Sequence, residues 1–215
     1  DYTESNNGDN CTVIINIPNA ILNISESELS GDRQVLFVRC GTATVTNTTI
    51  NFTATFEDDP YYPVTDAKWG SGNEVTSAAV VVGDYGNDNV YPGNAVLNLN
   101  GCTINANGGT PVFISSDGNT KATYNETNTS GSGNIETVVS DVNDVKSAME
   151  NSSIDSIVYN GTDPITTEIT KDVTITNVSA IGGSTIIGEN GSITLSPATD
   201  GGDVTLSGEL TVNYS

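Results

Sequence analysis

Short extended segments recur along the first half of the chain, several of them with alternating apolar and polar residues, and most are followed by Asn, Gly, Ser or Asp. The segments are mostly about five residues long and comprise 12–17, 20–24, 34–38, 43–47, 78–82, 95–100 and 111–115. A period of two is typical of β-strands, because successive side chains of a strand point to opposite faces. The pattern therefore predicts a mostly β chain, built either from hairpins or from a coil of stacked strands.

Three of these segments superpose when they are aligned on their aliphatic residues. Each carries one aliphatic residue five positions before another, and the pairs are Ile24 and Leu29, Val45 and Ile50, and Leu99 and Ile104. Asn47 and Gly101 fall at equivalent places between them, and both residue types tolerate the left-handed backbone angles of a sharp corner. The alignment predicts a repeated unit of strand, polar corner and strand, with stacked aliphatic side chains. Val45 and Leu99 are 54 residues apart, which is consistent with two layers and a long insertion.

The sequence changes character after a polar segment at 125–134, which we interpret as a connection between two domains. Four apolar residues then recur at helical spacing: Val142, Val145, Ala148 and Met149. Ser140 or Asp141 is placed to cap the N-terminus, so we predict a helix near 141–150. Strand-like sequence follows, including the segments KDVTI and TIIGENG.

Through this helix, the strand after it and these two segments, residues 138–195 resemble the entrance of right-handed parallel β-helices of the pectate-lyase-like superfamily. Such segments also occur in non-enzymatic, cell-surface β-helix proteins of the adhesin-like kind. The resemblance implies that the helix closes one end of a solenoid and shields the unpaired edge of its terminal strands.

We therefore predict an all-β fold, a right-handed parallel β-helix with one short capping α-helix near 141–150. A pair of β-sandwiches is the alternative, since short Val- and Thr-rich strands fit either architecture. Residues 1–129 would form a β-solenoid with a long loop insertion at 57–77. Residues 135–215 would form the start of a helix-capped β-helix, either stacked on the first or truncated.

The charge balance limits the classes of partner. Six Lys and Arg stand against 27 Asp and Glu with no His, which gives a formal charge of −21 and a pI of about 4.1. Phosphate binding relies on clustered basic residues, so we expect no nucleic-acid partner. The longest wholly apolar run, 78–82, is far shorter than the roughly 20 residues of a membrane-spanning helix, so we expect no membrane insertion.

The residue types that support catalysis are scarce. As a family, pectate lyases use acidic calcium ligands and an arginine base, while the related hydrolases combine Asp with His. This chain has no His, and Arg33 and Arg39 both lie outside the region of resemblance. We therefore predict no catalytic residues and no enzyme activity. Cys11, Cys40 and Cys102 are odd in number, so at least one thiol stands outside any internal disulfide, and zinc is not expected.

Aromatic residues suggest a ligand-binding site in two loops within 57–94. Five aromatic residues lie there: Tyr61, Tyr62 and Trp69 in the first loop, and Tyr85 and Tyr91 in the second. Both loops also carry acidic residues: Asp58, Asp59, Asp84 and Asp88. Flat rings beside carboxylates suit the C–H faces and hydroxyls of sugars, which predicts a glycan site formed by these rings with Asp58 and Asp59. The other interpretation is a satellite core that holds the long loops on the solenoid.

Calcium is the one cofactor that the sequence suggests. Oxygen-rich loops can bind this cation, and Asp84 and Asp88 are the candidate ligands. No loop matches the D-x-[DN]-x-[DN]-G spacing, so solvated turns are the alternative interpretation.

Three functional hypotheses follow from these patterns. The first is a non-catalytic extracellular or cell-surface β-helix protein, adhesin-like or structural, whose partners are glycans or host and cell-surface molecules. The second is a carbohydrate-binding module that uses loops 57–94, and the third is a degenerate polysaccharide lyase or hydrolase. The N-terminal sequence DYTESNNG has neither Met nor an apolar segment, which we interpret as a start left by signal-peptide removal.

Overall fold

The protein is described by a computed structural model. It describes residues 11–31, 34–53, 68–69, 73–74, 78–83, 93–114, 122–139, 141–178, 180–187, 192–195, 197 and 203–212. The chain divides into two compact units, Asp1–Ile135 and Glu136–Ser215. Each unit is mostly β, and within each unit the described strand pairs are parallel except one short hairpin.

The first unit contains eleven strands among its described residues. They are β1 (Val13–Ser25), β2 (Glu28–Gly31), β3 (Leu36–Thr46), β4 (Thr49–Phe52), β5 (Lys68–Trp69), β6 (Asn73–Glu74), β7 (Ala78–Val82), β8 (Ala95–Asn100), β9 (Thr103–Asn105), β10 (Thr110–Ile114) and β11 (Ala122–Thr127). Strands β5 and β6 form the antiparallel hairpin. The others follow one another in four layers: β1–β2, β3–β4, β7–β8–β9 and β10–β11.

Each layer pairs in parallel with the next through equivalent strands. The first half of β3 pairs with β7, and its second half pairs with β8. Strand β1 pairs along both halves of β3, β10 pairs with β7, and β11 pairs with β8. Strands β2, β4 and β9 form a separate three-stranded parallel sheet. The parallel pairing differs from the antiparallel sheets of a β-sandwich.

The register of these pairs confirms the alignment of aliphatic residues. Ile24 pairs with Val45, and Val45 pairs with Leu99. In the small sheet, Ile50 pairs with Leu29 on one side and with Ile104 on the other. Because Val45 and Leu99 lie on directly paired strands, the 54 residues between them make one step between layers rather than two.

Left-handed residues form the corner after each long strand. The corner residues lie at equivalent positions, with φ between 47° and 65°: Glu26, Asn47, Gly101 and Asn128. Each lies two residues after one member of the register-paired set Ile24, Val45, Leu99 and Glu126. Backbone bonds link these corners, since the amide of Asn47 donates to the carbonyl of Asn100 and that of Gly101 donates to Thr127. Asn and Gly adopt this conformation readily. The predicted role of Asn47 and Gly101 as corner residues is confirmed.

In each of the first two layers, two segments that the sequence separates lie in a single bent strand, β1 or β3. Segments 12–17 and 20–24 lie together in β1, with a register shift between Asn16 and Ile21. Opposite this bend, Gly41 has a φ of 88°, and a Cβ there would lie 2.9 Å from the carbonyl oxygens of Ile17 and Ala20. Glycine therefore permits the close approach that keeps β1 and β3 paired on both sides of the bend.

The core of the first unit follows the two strand patterns. In β8 and the second half of β3, buried and half-buried residues alternate, as expected for sheets with one face in the core. In contrast, all of β7 and the first half of β3 are buried on both faces. Residues 125–127, which we assigned to a connection, lie in β11, and Ser130 forms a bridge to Thr103.

The second unit contains a short helix and six described strands. They are β12 (Glu136–Val139), α1 (Val142–Glu150), β13 (Ser156–Tyr159), β14 (Asp172–Thr176), β15 (Ala180–Ile187), β16 (Ser192–Leu195) and β17 (Thr205–Val212). The parallel order is β12-β13-β14-β16, and β15 pairs with β17. Asp141 is the N-cap of α1, and its side chain accepts from the amide of Asn143 at 2.6 Å. The predicted helix is confirmed.

Candidate functional site

The sequence-predicted aromatic site and calcium site lie outside the described residues. This applies to all eight of the tyrosines and aspartates: Asp58, Asp59, Tyr61, Tyr62, Asp84, Tyr85, Asp88 and Tyr91. The backbone of Trp69 lies in β5, where it pairs with Asn73 of β6. The sugar site and the calcium site therefore stay predictions.

No group of three or more His, Cys, Asp or Glu is placed to hold a metal ion in the part of the chain that the structure describes. Within the same residues, no helix is both long enough and apolar enough to cross a lipid bilayer.

The outward side chains of β1, β3, β8 and β11 form one continuous face, which we call the neutral face. It consists of Ile21, Asn23, Ser25, Thr42, Thr44, Thr46, Val96, Asn98, Asn100, Thr123, Asn125 and Thr127. Every one of these side chains is at least partly exposed. None of the twelve is charged, although the whole chain carries a formal charge of −21.

Hydrogen bonds between layers hold two amides of the neutral face, those of Asn98 and Asn125. Asn125 Nδ2 donates to Asn98 Oδ1 at 3.0 Å, and Asn98 Nδ2 donates to Thr44 Oγ1 at 3.5 Å. These residues are paired in register, so their side chains lie one strand spacing apart, about 4.8 Å. The face thus presents ordered donors and acceptors, since each amide that bonds a neighbour is held in one orientation.

A second ladder runs along the small sheet beside the neutral face. Asn105 Nδ2 donates to Asn51 Oδ1 at 2.7 Å, and Asn51 Nδ2 donates to Glu28 Oε1 at the same distance. The corner carries a third contact, from Asn47 Nδ2 to Glu26 Oε1 at 2.8 Å. Both carboxylates belong to the first layer, so these ladders end in negative charge, unlike the ladder of the neutral face.

The residues that follow the four left-handed corners form a column of small donors. Each side chain donates to the carbonyl oxygen two residues earlier: Ser27 at 2.7 Å, Thr48 at 3.0 Å, Cys102 at 3.7 Å and Thr129 at 3.4 Å. The thiol of Cys102 also reaches the Val45 carbonyl at 3.4 Å. Cys102 therefore occupies a structural position, and the three cysteines form no disulfide.

Two polar residues stand at the fourth layer. Tyr124 is buried, and its hydroxyl donates to Glu126 Oε2 at 2.7 Å. Burial, reinforced by this carboxylate, raises the pKa of Tyr124 above its ordinary value of 10.0. Glu126 is exposed, although it is paired in register with Leu99. Leu99 belongs to the inward column, the register-paired aliphatic residues Ile24, Val45 and Leu99. The aliphatic column therefore ends at a charged residue.

Arg39 is the arginine whose surroundings the structure describes. It is only 8% exposed, and its guanidinium carbon lies 5.5 Å from the centre of the Phe37 ring. A cation over an aromatic face is a stabilising contact in a protein interior. The position of Arg39 thus fits a packing role within β3.

Two ionisable groups of the second unit have shifted pKa values. Lys171 Nζ donates to the backbone carbonyls of Asn151 and Ile154 just after α1. Burial lowers the pKa of Lys171 below its usual 10.5. Burial also raises the pKa of the Glu136 carboxyl above its usual 4.5. Lys171 thereby satisfies carbonyls at the end of the helix, as cations commonly do.

Comparison of the chain with protein-family models, with curated proteins and with solved structures finds no significant match. Sequence reasoning overlooked the neutral face, because its Asn and Thr residues become neighbours only through the register. The available signal was the polar half of each alternating segment, such as Thr42, Thr44 and Thr46 in one strand.

Proposed function

We propose that this chain is a non-catalytic extracellular or cell-surface protein, adhesin-like in type, which displays the neutral face to glycans from a rigid scaffold. The scaffold we propose is a right-handed parallel β-helix. The observation that carries the proposal is the neutral face itself, with twelve uncharged, register-paired residues on a chain of charge −21.

The pairing of the first unit supports the β-helix. Successive layers repeat the same order of strand, left-handed corner and strand, and each strand pairs in parallel with its equivalent. In a solenoid, every layer contacts only its neighbours, and stacked aliphatic side chains form a continuous core. Val45 and Leu99 are paired in register and are both fully buried, which supports a stacked core of this kind.

The chemistry of the neutral face supports a glycan as the ligand. Hydroxyl and amide groups supply both donors and acceptors, which match the hydroxyls of sugars. Asn98 and Asn125 are already held by side-chain bonds, so binding orders fewer groups. A face without charge also avoids desolvating carboxylates when a neutral ligand covers it.

Glycan-array binding of the purified protein tests this function, with two isosteric variants as the comparison. Asn98→Asp places a charge in the middle of the neutral face, whereas Asn105→Asp places the same charge on the small sheet. We expect Asn98→Asp to weaken glycan binding by at least about tenfold and Asn105→Asp to leave it unchanged. Equal effects of the two variants, or no glycan bound by the wild type, would contradict the proposal.

Glycan recognition by loops 57–94 is a second candidate function. The pairing of β5 with β6 favours it, because the backbone of Trp69 lies in a paired strand within these loops. Trp69→Ala in a protein with an intact neutral face separates the two candidates. If this substitution abolishes binding while Asn98→Asp does not, the loops are the glycan site.

A further inference from the structure

Exposed apolar side chains are concentrated on one strand of the first unit. Among the described residues, the large hydrophobic side chains that are exposed are Ile14 at 44%, Ile17 at 63% and Ile21 at 75%, and all three belong to β1. Single exposed aliphatic residues are common on protein surfaces, but three on one strand point to a contact surface.

Among the described residues, one backbone edge of β1 also has no strand partner. Within the described part of the chain, β1 pairs with β3 alone, although it is 13 residues long. Its inward residues Leu22 and Ile24 are only half-buried, whereas their register partners Ala43 and Val45 are fully buried. The core is therefore incompletely covered on the β1 side.

The fourth layer is protected against strand addition in a way that β1 is not. There the inward column ends at Glu126, and an inward charge on an edge strand opposes pairing with another strand. Along β1 and the two residues before it, from Cys11 to Ser25, no residue is charged. Pro18 and the left-handed Asn19 interrupt the edge only at the bend.

We propose that β1 is the interface through which a second copy of this chain binds, with the two β1 strands antiparallel about a two-fold axis. A strand edge is complementary to itself in this arrangement, because each edge alternates donors and acceptors. The same contact covers the exposed isoleucines of both copies, including Ile21 at the β1 margin of the neutral face. An uncharged strand also keeps the repulsion between two chains of charge −21 away from the contact itself.

Sedimentation velocity of the full chain tests this interface at concentrations from about 1 to about 100 µM. We expect a dimer whose fraction rises with concentration and with added salt, because salt screens the repulsion between two acidic copies. Ile17→Lys/Ile21→Lys should weaken dimerisation at least about tenfold by burying charge at the contact. The charge-matched control, Thr44→Lys/Thr46→Lys, lies on β3 and should dimerise like the wild type.

Hydrogen exchange locates the contact independently of the substitutions. Protection of the peptide covering residues 12–25 should increase with protein concentration, while that of β11 should not. A wild-type protein that stays monomeric at about 100 µM in about 0.5 M salt would overturn the proposal. So would a dimer that the two pairs of Lys substitutions weaken equally. Circular dichroism checks that each variant is folded, and exposed positions tolerate such changes.

Discussion

Replacing Gly101 by Ala tests whether the left-handed corner residues determine the stability of the first unit. Gly101 has a φ of 65°, in the left-handed region that β-carbon atoms disfavour. An added Cβ would lie 2.6 Å from Asn47 Oδ1, well inside van der Waals contact. Asn47 cannot simply turn away, because its amide nitrogen is bonded to Glu26 of the layer beyond. The substitution therefore strains one corner and displaces the next.

The magnitude follows from these two effects. An Ala residue in the left-handed region costs about 1–2 kcal/mol. Moving the Asn47 amide loses a hydrogen bond to a carboxylate, which we place at about 1 kcal/mol because the pair is exposed. We expect Gly101→Ala to lower the free energy of unfolding of the first unit by about 2–3 kcal/mol.

Native-state hydrogen exchange of residues 95–105, followed in increasing urea, measures this free energy within the full chain. A second background, Asn47→Gly, removes the side chain that the new methyl group would strike. There Gly101→Ala should cost only the backbone part, so that the double-mutant cycle gives a coupling of about 1 kcal/mol. Gly133→Ala is the control, since its φ is 56° and its added Cβ would lie 3.2 Å from Pro111 rather than near Asn47.

Two results would refute the reasoning. A change of less than about 0.5 kcal/mol for Gly101→Ala would show that the corner relaxes without strain. An equal cost in the wild-type and Asn47→Gly backgrounds would show that the two corners are independent. The control should cost the same in both backgrounds.

Three further predictions concern the titrating groups and the register. Glu136→Gln should stabilise the protein at pH 7, because the folded state raises the pKa of this carboxyl; the gain should disappear below about pH 4 in thermal melts. Lys171→Met should cost about 2 kcal/mol in urea unfolding, since two carbonyls after α1 lose a charged donor; a change within about 0.5 kcal/mol would contradict this role. Thr44→Cys/Asn98→Cys should form a disulfide on oxidation, detected by mass spectrometry, whereas Thr44→Cys/Asn125→Cys, two layers apart, should not.

Residue spacing alone predicted much of the first unit. The five-residue separation of Val45 and Ile50 repeats because both point inward on either side of one corner, and the register pairs them with Leu99 and Ile104. The corner at Gly101 was predictable because few residues accept its backbone angles. The helix was predictable because Asp141 caps it and its buried residues recur at helical spacing.

Features that depend on partners distant in sequence were not predictable in this way. The sequence pattern separates segments 12–17 and 20–24, yet pairing with β3 carries β1 across the bend between them. The length between Val45 and Leu99 suggested two layers, because spacing cannot distinguish an insertion from a layer. The neutral face escaped notice because Thr44 and Asn98 look like ordinary solvent-facing residues until the register brings them together.

Registered positions in successive layers are separated by 21, 54 and 27 residues, yet the strands pair in the same manner at every step. The register between neighbouring layers therefore does not depend on how many residues separate them in the chain. A segment such as that between β4 and β7 can therefore lengthen, shorten or be exchanged while the strands on either side keep their partners. The protein is thus suited to acquiring new recognition loops at fixed heights, and these positions are natural graft sites for engineering.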